Sequence, residues 1–284
     1  MLVNMKRMLE SAKDGKYAVA QFNINNLEWT RFILEECQSN NSPVILGVSE
    51  GAAKYMGGYK TIYDIVNDLI DYLHITIPVA LHLDHGSSFE VCKEAIDSGF
   101  TSVMIDASMY ELNENIEITK KVVSYSKDRD VTVEGEIGQV GSNIDQGIKY
   151  AEVMDCVKYL KETGIDFLAP ALGSVHGLYK GEPKFNFDRM LEISKITNIP
   201  LVLHGGTGIY DSQIKTSIAC GISKININTE LQIAWSNALK EKINSNIYDP
   251  RKIIKLGEDA LKECVRNKII LLGSKGKANT QNNI

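Results

Sequence analysis

Short runs rich in Val, Ile and Leu recur at regular intervals along almost the whole chain. Such runs, near-continuously apolar and bounded by polar or glycine-containing segments, are typical of strands that are buried on both faces. The predicted strands cover residues 17–24, 43–48, 79–83, 102–105, 131–134, 167–172, 201–203 and 225–227.

The segments between these runs have the period of an amphipathic helix. The clearest has apolar residues at i, i+3, i+4, i+7, i+8 and i+11, namely Ile62, Ile65, Val66, Leu69, Ile70 and Leu73. Further helices are predicted around residues 29–37, 116–123 and 153–160. Ser87 or Ser88, and Asp211, stand where N-caps are expected.

Strands that alternate with helices pair in parallel through helical crossovers, and eight of them fit a closed (β/α)8 TIM barrel. An open doubly wound sheet is the alternative, but that fold usually places a glycine-rich turn after its first strand, where this chain reads AQFNINN. We therefore predict one α/β barrel over residues 1–273 with extra C-terminal helices, followed by a disordered tail at 274–284.

Composition narrows the class of protein further. The 284 residues carry 31 Lys and Arg against 36 Asp and Glu, a net charge of -5, so a nucleic-acid partner is not expected. No apolar stretch approaches the roughly 18 residues of a membrane span, and the charged N-terminus does not resemble a signal peptide. Five widely spaced cysteines indicate reduced core thiols, and together these features predict a cytoplasmic protein.

Polar residues collect at the ends of the predicted strands. In a (β/α)8 barrel the active site is assembled from the carboxyl ends of the strands and the loops that follow them. These ends carry Asp84, His85, Asp106, Glu134, Glu136, His176, His204 and Asn228.

Three of the histidines, His85, His176 and His204, are placed to converge over one mouth of the barrel. Three neutral imidazoles with one position left open form the ligand set of a catalytic zinc. The alternative is that each is a separate, hydrogen-bonded loop residue. His82 points to the opposite side of the strand from His85, and we expect it to be structural or to lie behind the metal ligands. We expect His74, at the end of a helix, to be structural.

Two glycine-rich loops, GSVHGLYKGEP and HGGTG, follow the sixth and seventh strands. Their backbone N–H groups can approach an anion closely, with Lys180 as a point charge and Thr207 as a hydroxyl donor. These loops predict a phosphorylated substrate.

The motifs HLDHGSS, VMIDAS, GSVHG with YKGEP, LVLHGGTG, KININTE and YDPR occur in this order over most of the chain. In this respect the chain closely resembles the class II, metal-dependent fructose-1,6-bisphosphate aldolases, in the branch of Gram-positive bacteria and their wall-less relatives. The resemblance implies reversible cleavage of fructose 1,6-bisphosphate to dihydroxyacetone phosphate and glyceraldehyde 3-phosphate. It also implies a homodimer or homotetramer.

The resemblance further implies a role for individual residues. His85, His176 and His204 match the zinc ligands and Asp84 the proton-transfer residue, while Glu134 and Asp106 match polar groups that orient the ligands or hold displaced metal. Matches to substrate contacts are Asn23, Ser49, Gly177, Lys180, Gly205, Thr207, Asn226, Asn228 and Thr229. Arg251 matches an arginine that reaches a neighbouring subunit's substrate, and carbonyls near Val175, Gly177 and Gly205 match a site for Na⁺ or K⁺.

One segment departs from the family pattern. After the fifth strand, relatives carry a glycine-rich loop with a carboxylate that exchanges a proton of dihydroxyacetone phosphate. Here the loop reads QVGSNIDQGIKYAE, with Ile144 at the expected acidic position and Asp145 as its remaining acidic residue. Asp145 is our candidate for this role; the alternatives are Glu136, a tyrosine or slow turnover.

Other functions remain open at this point. Aldolases for tagatose bisphosphate or for inositol breakdown would share the barrel, the metal and the phosphate loops. A catalytically weak metal- or phosphate-binding paralogue and a metallohydrolase are more distant alternatives. A lysine Schiff base, the other solution to aldol chemistry, is disfavoured because Lys224, which abuts a strand, is predicted at the strand's N-terminal end.

Overall fold

The computed structural model describes residues 2–138, 150–175, 177, 179, 181, 183–243 and 246–278. Its core is a closed barrel in which the strands β1 to β8 pair in chain order. The strands are β1 Val19–Asn23, β2 Val44–Ser49, β3 Val79–Gly86, β4 Ser102–Ile105, β5 Thr132–Ile137, β6 Phe167–Pro170, β7 Leu201–Leu203 and β8 Ile222–Ile227. The predicted α/β barrel is therefore confirmed.

Every strand pair in the barrel is parallel, including the pair of β1 with β8 that closes it. The outward-facing apolar side chains of the strands pack beneath a ring of helices. The helices are α1 Lys6–Asp14, α2 Leu27–Ser39, α3 Glu50–Met56, α4 Tyr59–Tyr72, α5 Phe89–Asp97, α6 Leu112–Ser126, α7 Val153–Thr163, α8 Phe187–Thr197, α9 Asp211–Ala219, α10 Thr229–Lys242, α11 Pro250–Lys255 and α12 Glu258–Leu272.

Two predicted helix starts have different outcomes. Ser88 is the N-cap of α5, where its side chain accepts a hydrogen bond from the Val91 N–H. Asp211 is not a cap: α9 has Tyr210 at its N-cap position, and Asp211 is the first helical residue. A carboxylate in the first turn of a helix still interacts favourably with the helix dipole.

The inside of the barrel changes character from one end to the other. Near the amino ends of the strands it is apolar, with Val19, Ile45 and Val202 in one cluster with Met8 and Leu9 of α1. Helix α1 thus closes this end. Because side chains alternate along a strand, the inward positions two residues further on form the next layer, and that layer is polar, containing Gln21 and Glu134, both fully buried.

The C-terminal helices α11 and α12 are the predicted additions to the barrel. The start of the predicted disordered tail, residues 274–278, instead packs against the loop after α2. The Ser274 hydroxyl hydrogen-bonds the Ser42 hydroxyl at 2.9 Å, and the Ala278 N–H donates to the Asn41 carbonyl. Residues 279–284 lie outside the described part of the chain. Among the described helices, none has both the length and the apolar character that crossing a bilayer requires.

Candidate functional site

The backbone at the end of β3 turns two consecutive side chains toward the mouth of the barrel. Adjacent strand residues normally point to opposite faces, but His85 has a left-handed φ of 55°, and the pairing of β3 with β4 shifts register between Leu83 and Gly86. This distortion allows Asp84 and His85 to face the same mouth.

The orientation of the His85 ring is set by Asp106. The His85 Nδ1 lies 2.8 Å from Asp106 Oδ2, and the other oxygen of Asp106 accepts hydrogen bonds from the backbone and hydroxyl of Ser108. Burial of the imidazole opposes its protonation, but the Asp106 hydrogen bond raises the pKa of His85. With Nδ1 bound to Asp106, Nε2 is the nitrogen that can serve as a metal ligand.

The His204 ring lies between two carboxylates. Its Nε2 is 2.9 Å from Glu134 Oε1 and its Nδ1 is 3.1 Å from Glu136 Oε2. Burial lowers the pKa of His204, but the two carboxylates outweigh burial and raise it to about 10. The electrostatic environment at this ring therefore favours a positive charge.

His85, His204 and Glu136 together form a cluster whose ligand atoms all lie within 4.8 Å of one another. Two imidazoles and a carboxylate suit zinc or a similar divalent metal, so these residues fit a metal centre. Of the predicted ligands, His176 lies outside the described residues. Glu134 and Asp106 stand behind the cluster, each against one of its histidines.

Asp84 is held by amides from two other strands. The Asn23 side chain donates to Asp84 Oδ2 at 2.8 Å, and the Asn226 side chain donates to Asp84 Oδ1 at 3.1 Å. Burial opposes ionisation, but the charges of His85 and Lys224 and the Asn23 hydrogen bond hold the pKa of Asp84 well below its usual range. Asp84 is thus a fixed, ionised carboxylate that can accept a proton from a group in the mouth.

Lys224 is not where the sequence placed it. It was predicted at the N-terminal end of its strand, but β8 begins at Ile222, and Lys224 points into the barrel with no exposed surface. Its Nζ lies 2.7 Å from Glu134 Oε2. Lys224 therefore forms an ion pair in the barrel interior.

The loops after β6 and β7 are tied together by one hydroxyl. Tyr179 donates to the Gly205 carbonyl at 3.1 Å and accepts from the Val175 N–H at 3.2 Å. Gly205 has a φ of +66°, and a Cβ there would lie 2.1 Å from the Val175 carbonyl oxygen. Only glycine fits this close approach of the two loops.

A cleft opens above the cluster at the carboxyl ends of the strands. Its lining contains the predicted proton-transfer residue Asp84 and zinc ligand His85. It also contains most of the predicted substrate contacts: Asn23, Gly177, Gly205, Thr207, Asn226, Asn228 and Thr229. Thr207 and Thr229 lie at the N-terminus of α10, where the Glu230 N–H donates to the Thr207 hydroxyl. Backbone N–H groups at a helix N-terminus form a favourable anion site.

The remaining predicted residues lie elsewhere. Ser49, opposite Asp84 in the strand register, caps α3 by accepting from the Ala52 N–H. Arg251 is on α11, with its side chain 88% exposed and paired with Asp249. Lys180 and Asp145 lie outside the described residues, so their roles stay predictions.

Two parts of the site were not predicted from the sequence. Glu136 was expected only as an alternative proton carrier, yet it belongs to the histidine cluster, and the Lys224–Glu134 ion pair was not expected. Both could have been inferred from the alternation of side chains along a strand. Glu134 and Glu136 share one face of β5, and Lys224 and Asn226 share one face of β8.

Comparison with known proteins gives consistent matches over the whole chain. Residues 3–277 match the family model described as fructose-bisphosphate aldolase class-II. The fructose-bisphosphate aldolase of Geobacillus stearothermophilus is 58% identical over 283 residues, which is 98% of this chain and 99% of the relative. That of Staphylococcus epidermidis is 56% identical with the same coverage. The crystal structure of the YdjI aldolase from Escherichia coli K12 superposes with a TM-score of 0.88 at 33% identity, covering 98% of this chain and all of the other.

Proposed function

The chain belongs to the class II fructose-bisphosphate aldolase family, and from this premise we propose which residues at the barrel mouth cleave fructose 1,6-bisphosphate to dihydroxyacetone phosphate and glyceraldehyde 3-phosphate. The family is metal-dependent. The observation that supports the assignment most directly is the cluster of His85, His204 and Glu136 beside the ionised Asp84.

We propose zinc as the metal, held by His85 and His204 with His176 as the third histidine. Glu136 lies within reach of the same position, while Asp106 and Glu134 orient the two described histidines. A bound zinc ion supplies a Lewis acid that withdraws electrons from the substrate ketone and stabilises the negative charge left when the C3–C4 bond breaks.

Asp84 takes the proton of the C4 hydroxyl as glyceraldehyde 3-phosphate leaves, and returns it in the condensation direction. The amides of Asn23 and Asn226 keep the Asp84 carboxylate fixed in the mouth, so that little reorganisation is needed when the substrate binds. We assign the exchange of a proton with dihydroxyacetone phosphate to Asp145, with Glu136 as the alternative.

The phosphate groups bind at the loops around the cleft. The N-terminus of α10, with Thr207 and Thr229, offers one anion site, and Lys180 adds a positive charge. Carbonyls near Val175, Gly177 and Gly205 are the proposed ligands of Na⁺ or K⁺. Arg251 binds the second phosphate of a neighbouring subunit's substrate, which requires a homodimer or homotetramer. A cytoplasmic location remains the prediction from sequence.

A cleavage assay coupled to oxidation of glyceraldehyde 3-phosphate tests this function on fructose and tagatose bisphosphates side by side. We expect faster turnover of the fructose epimer, complete loss with a chelator and recovery with Zn²⁺. Borohydride added with substrate should not inactivate the enzyme, because no lysine forms a Schiff base. A borohydride-trapped adduct, or activity that survives removal of all metal, would contradict the proposal. Preference for tagatose bisphosphate would assign the chain to the other epimer.

A further inference from the structure

The middle layer of the barrel contains a lysine that no step of the proposed reaction uses. Lys224 is fully buried, and its Nζ lies 2.7 Å from Glu134 Oε2. The other oxygen of Glu134 lies 2.9 Å from His204 Nε2. The three side chains therefore form a continuous chain of contacts from the barrel interior to a predicted metal ligand.

The ionised state of Glu134 depends on a positive partner. Glu134 has no exposed surface, and a buried carboxylate without a compensating charge is strongly disfavoured. The other basic side chains beside Glu134 are His204, at 2.9 Å, and His82, whose Nε2 is 3.7 Å from Glu134 Oε2.

His82 does not supply that charge. Its Nδ1 lies 2.9 Å from the Ser102 hydroxyl, which itself donates to the Thr132 carbonyl and so accepts from His82. The proton is thus on Nδ1, and a second proton on the buried Nε2 would have no acceptor within hydrogen-bond distance in the described part of the chain. His82 is neutral, and His204 must be neutral to serve as a metal ligand. Among the described residues, this leaves the Lys224 side chain, 2.7 Å from Glu134, as the positive partner of this carboxylate.

We infer that Lys224 is a positioning residue for the metal centre: it keeps Glu134 an acceptor, so that Nε2–H of His204 donates to Glu134 and Nδ1 is presented to the metal. An ionised carboxylate can only accept, so its partner nitrogen must carry the hydrogen. Partners of this kind fix the tautomer and the ring orientation of metal-binding histidines. The inference rests on the metal site of the proposed function.

Metal affinity and the spectrum of bound Co²⁺ test it without relying on activity. Wild-type protein is stripped with a chelator and titrated with Zn²⁺ by calorimetry and with Co²⁺ by its visible absorption. For Lys224→Met we expect metal binding about 10 to 100-fold weaker, the usual effect of losing a partner behind a metal ligand, and shifted Co²⁺ bands. Lys262→Met is the control, because Lys262 pairs with Glu35 and Glu258 at the helical surface; it should leave both readouts unchanged.

A double-mutant cycle asks whether Lys224 acts through Glu134. Glu134→Gln should weaken metal binding, and adding Lys224→Met to it should change affinity by less than about threefold, since the two act as one unit. If Lys224→Met alone does not fold, the double variant can still be compared with Glu134→Gln, because removing both charges leaves no unpaired ion in the barrel.

The outcomes are separable. Native affinity and native Co²⁺ bands in Lys224→Met would overturn the inference and leave the proposed function intact. A further tenfold loss in the double variant would also overturn it, by showing that Lys224 acts independently of Glu134. A wild-type protein that binds neither ion would remove the proposed metal site itself.

Discussion

His85 shows how a single backbone angle determines which side chains can act together. Its positive φ of 55° is rare for a residue with a side chain. Conformations of this kind cost about 1 to 3 kcal/mol and persist where the surrounding structure enforces them. Here the distortion places a predicted metal ligand and the proposed base, Asp84, at neighbouring positions in the same mouth.

At the residue scale, Asp84 should be required for chemistry and not for metal binding. We expect Asp84→Ala to lose about 10² to 10⁴ in turnover, the usual contribution of a general base, because no other described carboxylate is held by Asn23 and Asn226. Steady-state kinetics with metal analysis checks this. Zinc content should stay near that of the wild type, whereas wild-type turnover in this variant would move the proton transfer to another group.

Gly205 provides a second test at this scale. In Gly205→Ala, the alanine must adopt a left-handed conformation, which costs about 1 to 2 kcal/mol. Its Cβ would also clash with the Val175 carbonyl oxygen. Gly164→Ala is the matched control: Gly164 has a φ of +69°, with nothing within 4 Å of an added Cβ. Denaturant unfolding should show a larger loss of stability for Gly205→Ala than for Gly164→Ala, and only Gly205→Ala should lose activity. Equal losses of stability would argue against the close approach of the two loops.

At the scale of elements, the strands and most helices follow from the sequence because their apolar periodicity is strong. Placement within a strand is harder to predict. The eighth strand was predicted from residue 225, because Ser223 and Lys224 interrupt its apolar run, yet β8 begins at Ile222. A lysine can stand inside a strand when a buried carboxylate such as Glu134 neutralises it, and that partner lies 90 residues away in the chain.

The C-terminal residues and the full metal cluster could not be predicted from local sequence patterns. Composition favoured disorder from residue 274, but Ser274 and Ala278 are anchored to a loop more than 200 residues earlier. Long-range contacts of this kind leave no local pattern. The cluster of His85 and His204 could be predicted from strand ends, whereas the inclusion of Glu136 required the three-dimensional arrangement.

Helix α1 closes the amino end of the barrel, so truncation of its buried face should lower stability. Leu9 is fully buried against the amino end of the barrel. Leu9→Ala should lower the free energy of unfolding by about 2 to 5 kcal/mol, since it removes transfer energy and leaves a cavity. Arg7→Ala, at an exposed position of the same helix, should change it by less than about 0.5 kcal/mol. Urea unfolding of both variants checks the difference; similar values would mean that α1 does not close the barrel.

At the scale of the whole molecule, Arg251 predicts an active site shared between subunits. Its guanidinium is exposed on α11 and bonded to Asp249, which fixes its direction. A guanidinium suits phosphate because it can donate two parallel hydrogen bonds. Arg251→Ala should raise the KM for the bisphosphate and leave zinc content unchanged.

Mixing this variant with Asp84→Ala tests the sharing directly. A hybrid dimer contains one site with both residues intact if Arg251 acts across the interface, so part of the activity should return. Subunit exchange must be shown separately, for example by mass spectrometry of labelled chains. Exchange without any recovery would mean that Arg251 serves its own subunit or none.

The closure of the barrel by α1 also constrains the order in which substrate binds and products are released. With its amino end filled by α1 and its middle layer by Gln21, Glu134 and Lys224, the chamber is a dead end. Both halves of a cleaved sugar must depart by the opening through which the whole sugar arrived. If one half lies between the other and this opening, it must leave first, and in the joining direction the half that leaves last must enter first.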